Sequence, residues 1–496
     1  MTALNINTTS SLSSSNKTCS AKQLNQQQRQ CLAEQALSGD KPISHLAEEA
    51  NTSRKFIYTQ KKKAQDGINQ AFAENNSDDE VLFYIPVTKA WIRQLVIALV
   101  MICHAPFRGV LVFLRDVLDY KIGLGTIHNI VRDSIKTAQE YQQSEDLSPI
   151  KAASHDEIFQ GGKPVLAGVD LDSTYCYLLE KEPHRDATTW GVHFLDCQEK
   201  GFAPDYTIAD GGTGLRAGQR EALPDTPCHG DVFHILMEMG KVSLTLENKA
   251  YRAIKGLEQD KRTIVSKEQL FEAYQKEQQR VNTATQFELL LSWMKNDVFA
   301  LNGLDHVTRD ELYDFIVDEL RHLEAYQVKD IRKIRIALQR QKEQLLGFAP
   351  RLDSDLKQIA LEHQQPTEYV QRVATLQRQS TQTSRYWQEY TTLQSCLGDA
   401  FRVVMTAVEH WRYHFHRASS LVENLNSRLR QYFFLRRQIG HGYLDLLRFY
   451  FNHRRYERSL RPERTGYSPA ELMTGEKHPH WLEILGFKRF EKQLAH

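Results

Sequence analysis

From Leu24 to about Phe72 the apolar positions recur at helical spacing in three successive segments: Leu24 to Leu37, Ile43 to Ala50, and Arg54 onward. Leu46, Ala47 and Ala50 make an apolar stripe, Asn51-Thr52-Ser53 supplies a turn, and Ser53 is placed to cap the next helix. This is the spacing of a helix-turn-helix. The acidic stretch Asn75 to Glu80 reads as a linker, and a second helical unit follows from Val87 to about Gln143. Its segments are Trp91 to His104, Phe107 to Leu118 and Thr126 to Gln143, the last entered through Lys121-Ile122-Gly123-Leu124-Gly125 with Thr126 as the expected cap.

After Leu147 to Pro149 the pattern turns strand-like. Ala152 to Phe159 predicts a strand, Gln160-Gly161-Gly162-Lys163-Pro164 a turn, and Val165 to Leu179 the returning strand of a hairpin. Thr188 to Leu195 predicts a third strand, Tyr206 to Ala209 a short fourth ending at Asp210, and Leu215 to Leu223 a helix. From Ile235 to about Ala418 there is almost no strand signal, and long charged stretches such as Glu311 to Leu346 predict an all-helical domain. Leu421 to His496 opens with a helix and ends in a basic segment.

The expected organisation is therefore multidomain α plus α/β. A tail spans 1–22, helical units 23–74 and 86–146, a mixed-sheet core 150–236, a helical insertion 237–418, and the second part of the core 419–496.

Composition narrows the class without naming it. With 41% hydrophobic and 25% charged residues the 496-residue chain is ordinary globular protein. Its longest apolar run, Leu95 to Cys103, is too short to span a bilayer, so no membrane partner is expected. The serine-rich start lacks the apolar core of an export signal. Cysteines at 19, 31, 103, 176, 197, 228 and 396 form no C-x-x-C pair, which suits a reducing, cytoplasmic location. The formal net charge is only +1, yet Phe401 to His496 holds 17 Lys and Arg against 9 Asp and Glu, a candidate phosphate-facing surface.

That surface and the helical units point to nucleic acid. Arg54, Lys55, Tyr58, Lys61 and Lys62 on the third segment can reach phosphates and base edges, and Thr126, Asn129 and Arg132 occupy the corresponding helix of the second unit. A basic amphipathic helix packed on a partner, and a small bundle that only joins domains, are the competing readings. Phosphodiester chemistry gains most from two divalent cations about 4 Å apart, which a few carboxylates on different elements can hold. Asp156 lies on the first expected strand, Asp210 at the tip of the fourth, and Glu423 on the helix after the insertion. Asp170 and Asp172 compete with Asp156 for the first position.

These segments carry a family resemblance. Ser154-His155-Asp156-Glu157-Ile158-Phe159 with Val169-Asp170-Leu171-Asp172-Ser173-Thr174 resembles the opening hairpin of bacterial insertion-sequence transposases of the DDE type, and Ile208-Ala209-Asp210-Gly211-Gly212 resembles their second-aspartate segment. Cys228-His229-Gly230-Asp231-Val232-Phe233-His234 is similar to the C/D-x-x-H motif of Mutator-like and hAT-like transposases, and Ser420-Leu421-Val422-Glu423-Asn424-Leu425-Asn426-Ser427-Arg428 resembles their glutamate helix. The four motifs occur in family order over residues 150 to 490. Asp210 and Glu423 stand 213 positions apart, which departs from simple integrases and agrees with families that insert a helical domain before the glutamate.

The resemblance implies a ribonuclease H-like core with catalytic, metal-holding Asp156, Asp210 and Glu423, and two Mg²⁺ or Mn²⁺ ions. It gives Asp231 and His234 a supporting role. Arg428, Arg430, Arg436, Arg437, Arg454 and Arg455 become phosphate contacts, and Ser468 and Pro469 start a short closing helix. The implied partners are double-stranded DNA, as transposon ends with inverted repeats and as target, and a second copy of the chain. When bound to DNA the protein would sit with the bacterial nucleoid. Trp293, Trp387 and Trp411 of the insertion are candidates for stacking on an unpaired base. The alternatives are a transposase-derived DNA-binding regulator without cleavage activity and another metal-dependent nuclease.

Overall fold

The structure is a computed structural model that describes residues 24–72, 83–263, 266–326, 329–436, 438–489 and 493–494. The expected tail and the acidic linker lie outside these residues. The chain divides into two compact units, residues 1–85 with 491–496, and residues 86–490.

In the first unit α1 (Gln26–Ser38), α2 (Ile43–Glu49) and α3 (Arg54–Ala71) close over Ala36, Leu46, Ala47 and Ile57. Ser53 caps α3 as expected, its hydroxyl accepting from the Phe56 amide at 3.2 Å. A two-residue strand β1 (Phe83–Tyr84) pairs antiparallel with β7 (Gln493–Leu494).

The second unit begins with α4 (Lys89–Met101), α5 (Phe107–Leu118) and α6 (Leu124–Gln142). Gly123, not Thr126, is the residue before α6, and the Thr126 amide bonds back to the Gly123 carbonyl at 3.0 Å, one turn inside the helix. These helices do not form a separate core. Val96, Val110 and Ile127 pack into one apolar cluster with Ile158, Val165 and Val169 of the sheet and with Val422 and Leu447. Most of the apolar run that begins at Leu95 is therefore buried in this shared cluster, beside α5 and α6.

The sheet has five strands, β2 (Ala152–Gln160), β3 (Lys163–Asp170), β4 (Cys176–Lys181), β5 (Tyr206–Ala209) and β6 (Cys228–Gly230), in the order β4-β3-β2-β5-β6. β3 runs antiparallel to β2 and β4, while β2, β5 and β6 are parallel. Gly161 and Gly162 both take positive φ, 60° and 79°, which the two-residue β2–β3 turn requires.

Two expectations fail here. Val165 to Leu179 is not one strand, because Asp170 accepts from the Ser173 amide at 2.8 Å and Thr174 turns at φ 66°, so the chain reverses and β4 becomes the third strand. Thr188 to Leu195 is not a strand but part of α7 (Ala187–Glu199). Its threonines and valine favour a strand locally. Asp186 caps it through the Thr189 amide at 2.9 Å, and Trp190, Phe194 and Cys197 bury one helical stripe. α7 meets α8 (Thr213–Ala222) at Gly191 and Gly218, where a Cβ on Gly218 would stand 2.5 Å from the Ala187 carbonyl. These helices cover the second face of the sheet, packing Trp190, Phe194 and Leu215 over Ala153, Leu166 and Tyr177.

The stretch after β6 is helical as expected: α9 (Val232–Thr263), α10 (Lys267–Trp293), α11 (His306–Leu323), α12 (Lys329–Leu346), α13 (Phe348–Glu362), α14 (Thr367–Leu376), α15 (Ser384–Leu397) and α16 (Ala400–His414). They share a core of their own that includes Phe287, Met294, Tyr313, Leu338, Leu352 and Val404. α17 (Ser420–Leu435) and α18 (His441–His453) return to the sheet, and α19 (Pro469–Thr474) starts at a capping box in which Ser468 accepts from the Glu471 amide and Glu471 from the Ser468 amide. No helix among the described residues is long and apolar enough to cross a membrane.

Candidate active site

Strand register brings the first two carboxylates together. β2 and β5 are parallel neighbours with Ser154 opposite Ile208 and His155 opposite Ala209, so the next pair in register is Asp156 and Asp210. Neighbouring strands lie about 4.8 Å apart. His155 points into the α7 side, fully buried among Tyr177, Trp190, Phe194 and Phe202, where burial pushes its pKa down to about 3 and keeps it neutral. Alternation along the strand therefore turns Asp156 to the other face, under α17.

α17 buries Val422, Leu425, Leu429 and Tyr432 against the sheet, which sets Glu423 and Asn426, one turn apart, over β2. Asn426 is 1% exposed, and its Nδ2 donates to Asp156 Oδ2 at 2.6 Å. Asp156 Oδ1 accepts from the Glu157 amide at 2.7 Å. Burial, with the negative charges of Glu423 and Asp210 adding to it, pushes the Asp156 carboxyl up to about 7. The charges of Glu423 and Asp210 thus reach Asp156 across the end of the sheet.

Each of the other two has a local partner. Asp210 Oδ1 accepts from the Gly212 amide at 2.8 Å, while Arg216 donates to the Asp210 and Ala209 carbonyls at 2.7 and 2.9 Å and fixes the strand end. Glu423 lies 3.8 Å from Arg430. Among the described residues no group of three or more His, Cys, Asp or Glu side chains stands close enough to hold a metal ion as the side chains lie. As donors the set fits Mg²⁺ or Mn²⁺: hard oxygens only, crowded by like charge that a cation neutralises.

Asp170 and Asp172 lie at the other end of the hairpin. Asp170 pairs with Ala153 in register and closes its own turn, and Asp172 binds His416 Nε2 at 3.0 Å. It is Asp156 that the fold groups with Asp210 and Glu423.

Asp231 directly precedes α9, and its carboxylate accepts from the Phe233 amide at 2.8 Å and from the Ser419 amide at 3.2 Å, with a further bond from the Ser419 hydroxyl. Ser419 in turn takes the Glu423 amide at 3.1 Å, so Asp231 anchors the start of the glutamate helix. His234 lines a cleft of about 350 Å³ with Asp210, Glu238, Lys333 and Gln341. The last two belong to α12 and were missed in the sequence, where they are ordinary polar positions of an amphipathic helix.

The expected DNA contacts divide by environment. Arg54, Lys55, Tyr58 and Lys62 on α3 are exposed and Lys61 is half-buried, and Thr126, Asn129 and Arg132 on α6 are exposed. Arg430 is exposed, and so is Arg454, although it donates to the Tyr450 hydroxyl at 2.8 Å. Arg428 stacks 4.0 Å over Phe451, and Arg436 donates to the Ala105 carbonyl at 2.9 Å. Arg455 pairs with buried Glu471 at 2.6 Å. Arg428 and Arg436 are half-buried, whereas Arg455 holds Glu471 from the surface with 41% of its side chain exposed. Arg437 lies outside the described residues. Of the tryptophans, Trp411 bonds Asp355 at 3.0 Å and Trp293 packs on the helical core, while Trp387 is exposed. Compared with known proteins, the chain matches no protein-family model and no curated sequence.

Proposed function

We propose that the protein is a DDE-type transposase with a ribonuclease H-like core, which cuts the ends of a mobile DNA element and joins them to target DNA. The observation that carries this reading is the side-by-side placement of Asp156 and Asp210 by strand register, with the helix bearing Glu423 laid over them. The sheet supports it as well: numbered from β2, its strands run 3-2-1-4-5 with the second antiparallel to the rest. Exposed cations and Tyr58 on α3 suit DNA binding, and two copies acting on two ends suit the joining of both.

In this reading the three carboxylates would hold two Mg²⁺ or Mn²⁺ ions, which would supply activation of the attacking oxygen and charge relief at the leaving one. Asn426 and the Glu157 amide fix both oxygens of Asp156, and Asp231 fixes the helix that carries Glu423. A water oxygen attacks phosphorus at the element's end and frees a 3′-hydroxyl, which then attacks a phosphodiester of the target and displaces another 3′-oxygen. No covalent bond to the protein forms.

The test is incubation of the full chain with its own genomic flanks and Mg²⁺. Wild type is expected to cut them and Asp210→Asn to leave them intact. Equal cutting by both would overturn the site, and binding without any cutting by wild type would favour a DNA-binding regulator.

Asn426→Ala is expected to raise the Mg²⁺ concentration needed for half-maximal cutting by about 10- to 100-fold, the usual effect of losing a group that orients a metal ligand. The stabilisation that Mg²⁺ gives in thermal melts should weaken in parallel. An unchanged Mg²⁺ titration would show that Asn426 does not orient Asp156.

A further inference from the structure

At the 100° step of a helix, Glu423, Ser427, Arg430 and Phe434 fall on one stripe of α17, opposite the buried Val422, Leu425 and Leu429. Phe434 is 88% exposed at the far end of that stripe. Scattered surface apolar residues need no explanation, but this ring continues in line from the carboxylate site, with Arg430, 63% exposed along its side chain, between them. Rises of 1.5 Å per residue set Arg430 ~10 Å and Phe434 ~16 Å beyond Glu423 along the axis.

We propose that Phe434 is a stacking platform for an unpaired nucleobase of the DNA strand whose phosphodiester lies at Asp156, Asp210 and Glu423, with Arg430 taking a phosphate on the way; this rests on the transposase reading above. The chemistry is that of single-strand binding sites, a cation for the backbone and an aromatic face for a base of any identity. A strand offers one phosphate per ~3.4 Å when stacked in a duplex, so the ~16 Å track spans several nucleotides. Within an intact duplex both faces of each base are covered by its neighbours. The ring therefore selects a frayed or single-stranded segment close to the cut. A second copy of the chain is the competing occupant of such a face, but the charge of Arg430 and the continuity with the carboxylates favour DNA.

The experiment uses the full chain in EDTA, with a duplex carrying a short single-stranded tail that contains 2-aminopurine, and the blunt duplex as control. Wild type is expected to change the 2-aminopurine fluorescence on binding. Phe434→Ala should lose that change and bind the tailed duplex about tenfold or more weakly, with blunt-duplex affinity and melting temperature unaltered. Phe434→Trp should restore stacking. If Phe434→Ala matches wild type on the tailed duplex while wild type cuts DNA in an Asp210-dependent way, this inference alone falls. It falls too if Phe434→Ala instead dissociates an oligomer in DNA-free sedimentation and binds the tail normally. If wild type neither binds nor cuts any DNA, the transposase reading falls with it.

Discussion

Asp156→Asn is expected to stabilise the metal-free protein at pH 8 and to abolish DNA cutting. The Asp156 carboxyl has a folded pKa raised to about 7 from 3.8, chiefly by burial. Below pH 4 it is protonated in both the folded and the unfolded chain and contributes nothing. Between the two values the folded protein keeps a proton that the unfolded chain has lost, so stability falls as pH rises. Above pH 7 the whole penalty applies, on the order of 4 kcal/mol for a shift of about three units. An amide removes it.

The neighbour is suited to the change, because the buried Oδ1 of Asn426 has no hydrogen-bond partner among the described residues and can accept from the new amide once the Asn426 amide turns over. Denaturant titrations at pH 5 and pH 8 in EDTA should therefore show a smaller loss for the variant than for wild type. Added Mg²⁺ should stabilise wild type more strongly than Asp156→Asn. Cutting should fall by about a thousandfold or more, the scale of several kcal/mol of lost charge stabilisation. A variant as pH-sensitive as wild type would mean that Asp156 is not the buried, repelled group described above.

The second large effect is at Arg455. Glu471 has a side chain only 2% exposed, and Arg455 grips it at 3.1, 3.0 and 2.6 Å. Burial disfavours the ionised carboxylate, but Arg455 and the amides of Ser468 and His478 outweigh it and hold the pKa down to about 2. The stability this gives is complete above about pH 4.5 and is lost as pH falls toward 2. Arg455→Ala should destabilise the protein by roughly 1–2 kcal/mol, less than the loss of a fully buried pair, because the Arg455 side chain is 41% exposed and the Ser468 and His478 amides still hold Glu471. It should also weaken the acid dependence. Were Arg455 a phosphate contact instead, stability would be unchanged and the salt dependence of DNA binding would drop by about one ion. Urea titration and salt-dependent DNA binding separate the two.

What the sequence made legible follows the range of the forces involved. α5 and β5 were read to the residue, and the caps at Ser53 and Ser468 were found, because short-range signals define them. α7 was misread because Thr188, Thr189 and Val192 carry strand propensity, while the stripe of Trp190, Phe194 and Cys197 that decides the matter needs a sheet to pack on. Motif order alone singles out the two aspartates and the glutamate as candidates. The choice among Asp156, Asp170 and Asp172 was open, because only register tells which end of the hairpin faces Asp210. The engagement of Arg428, Arg436 and Arg455 with the protein's own groups is equally hidden, since a guanidinium in a basic run looks the same whether it meets Phe451, a carbonyl, a carboxylate or solvent.

The bond between Asp231 and Ser419 joins residues 188 positions apart. Holding the ends of a flexible chain of that length together costs on the order of 5 kcal/mol in entropy. The intervening helices, folded around a core of their own, leave and re-enter the sheet at a single point and so spare the glutamate helix that cost. The insertion is thus a thermodynamic staple as well as a surface: melting it would loosen Glu423 from the two aspartates even with every residue of the sheet in place.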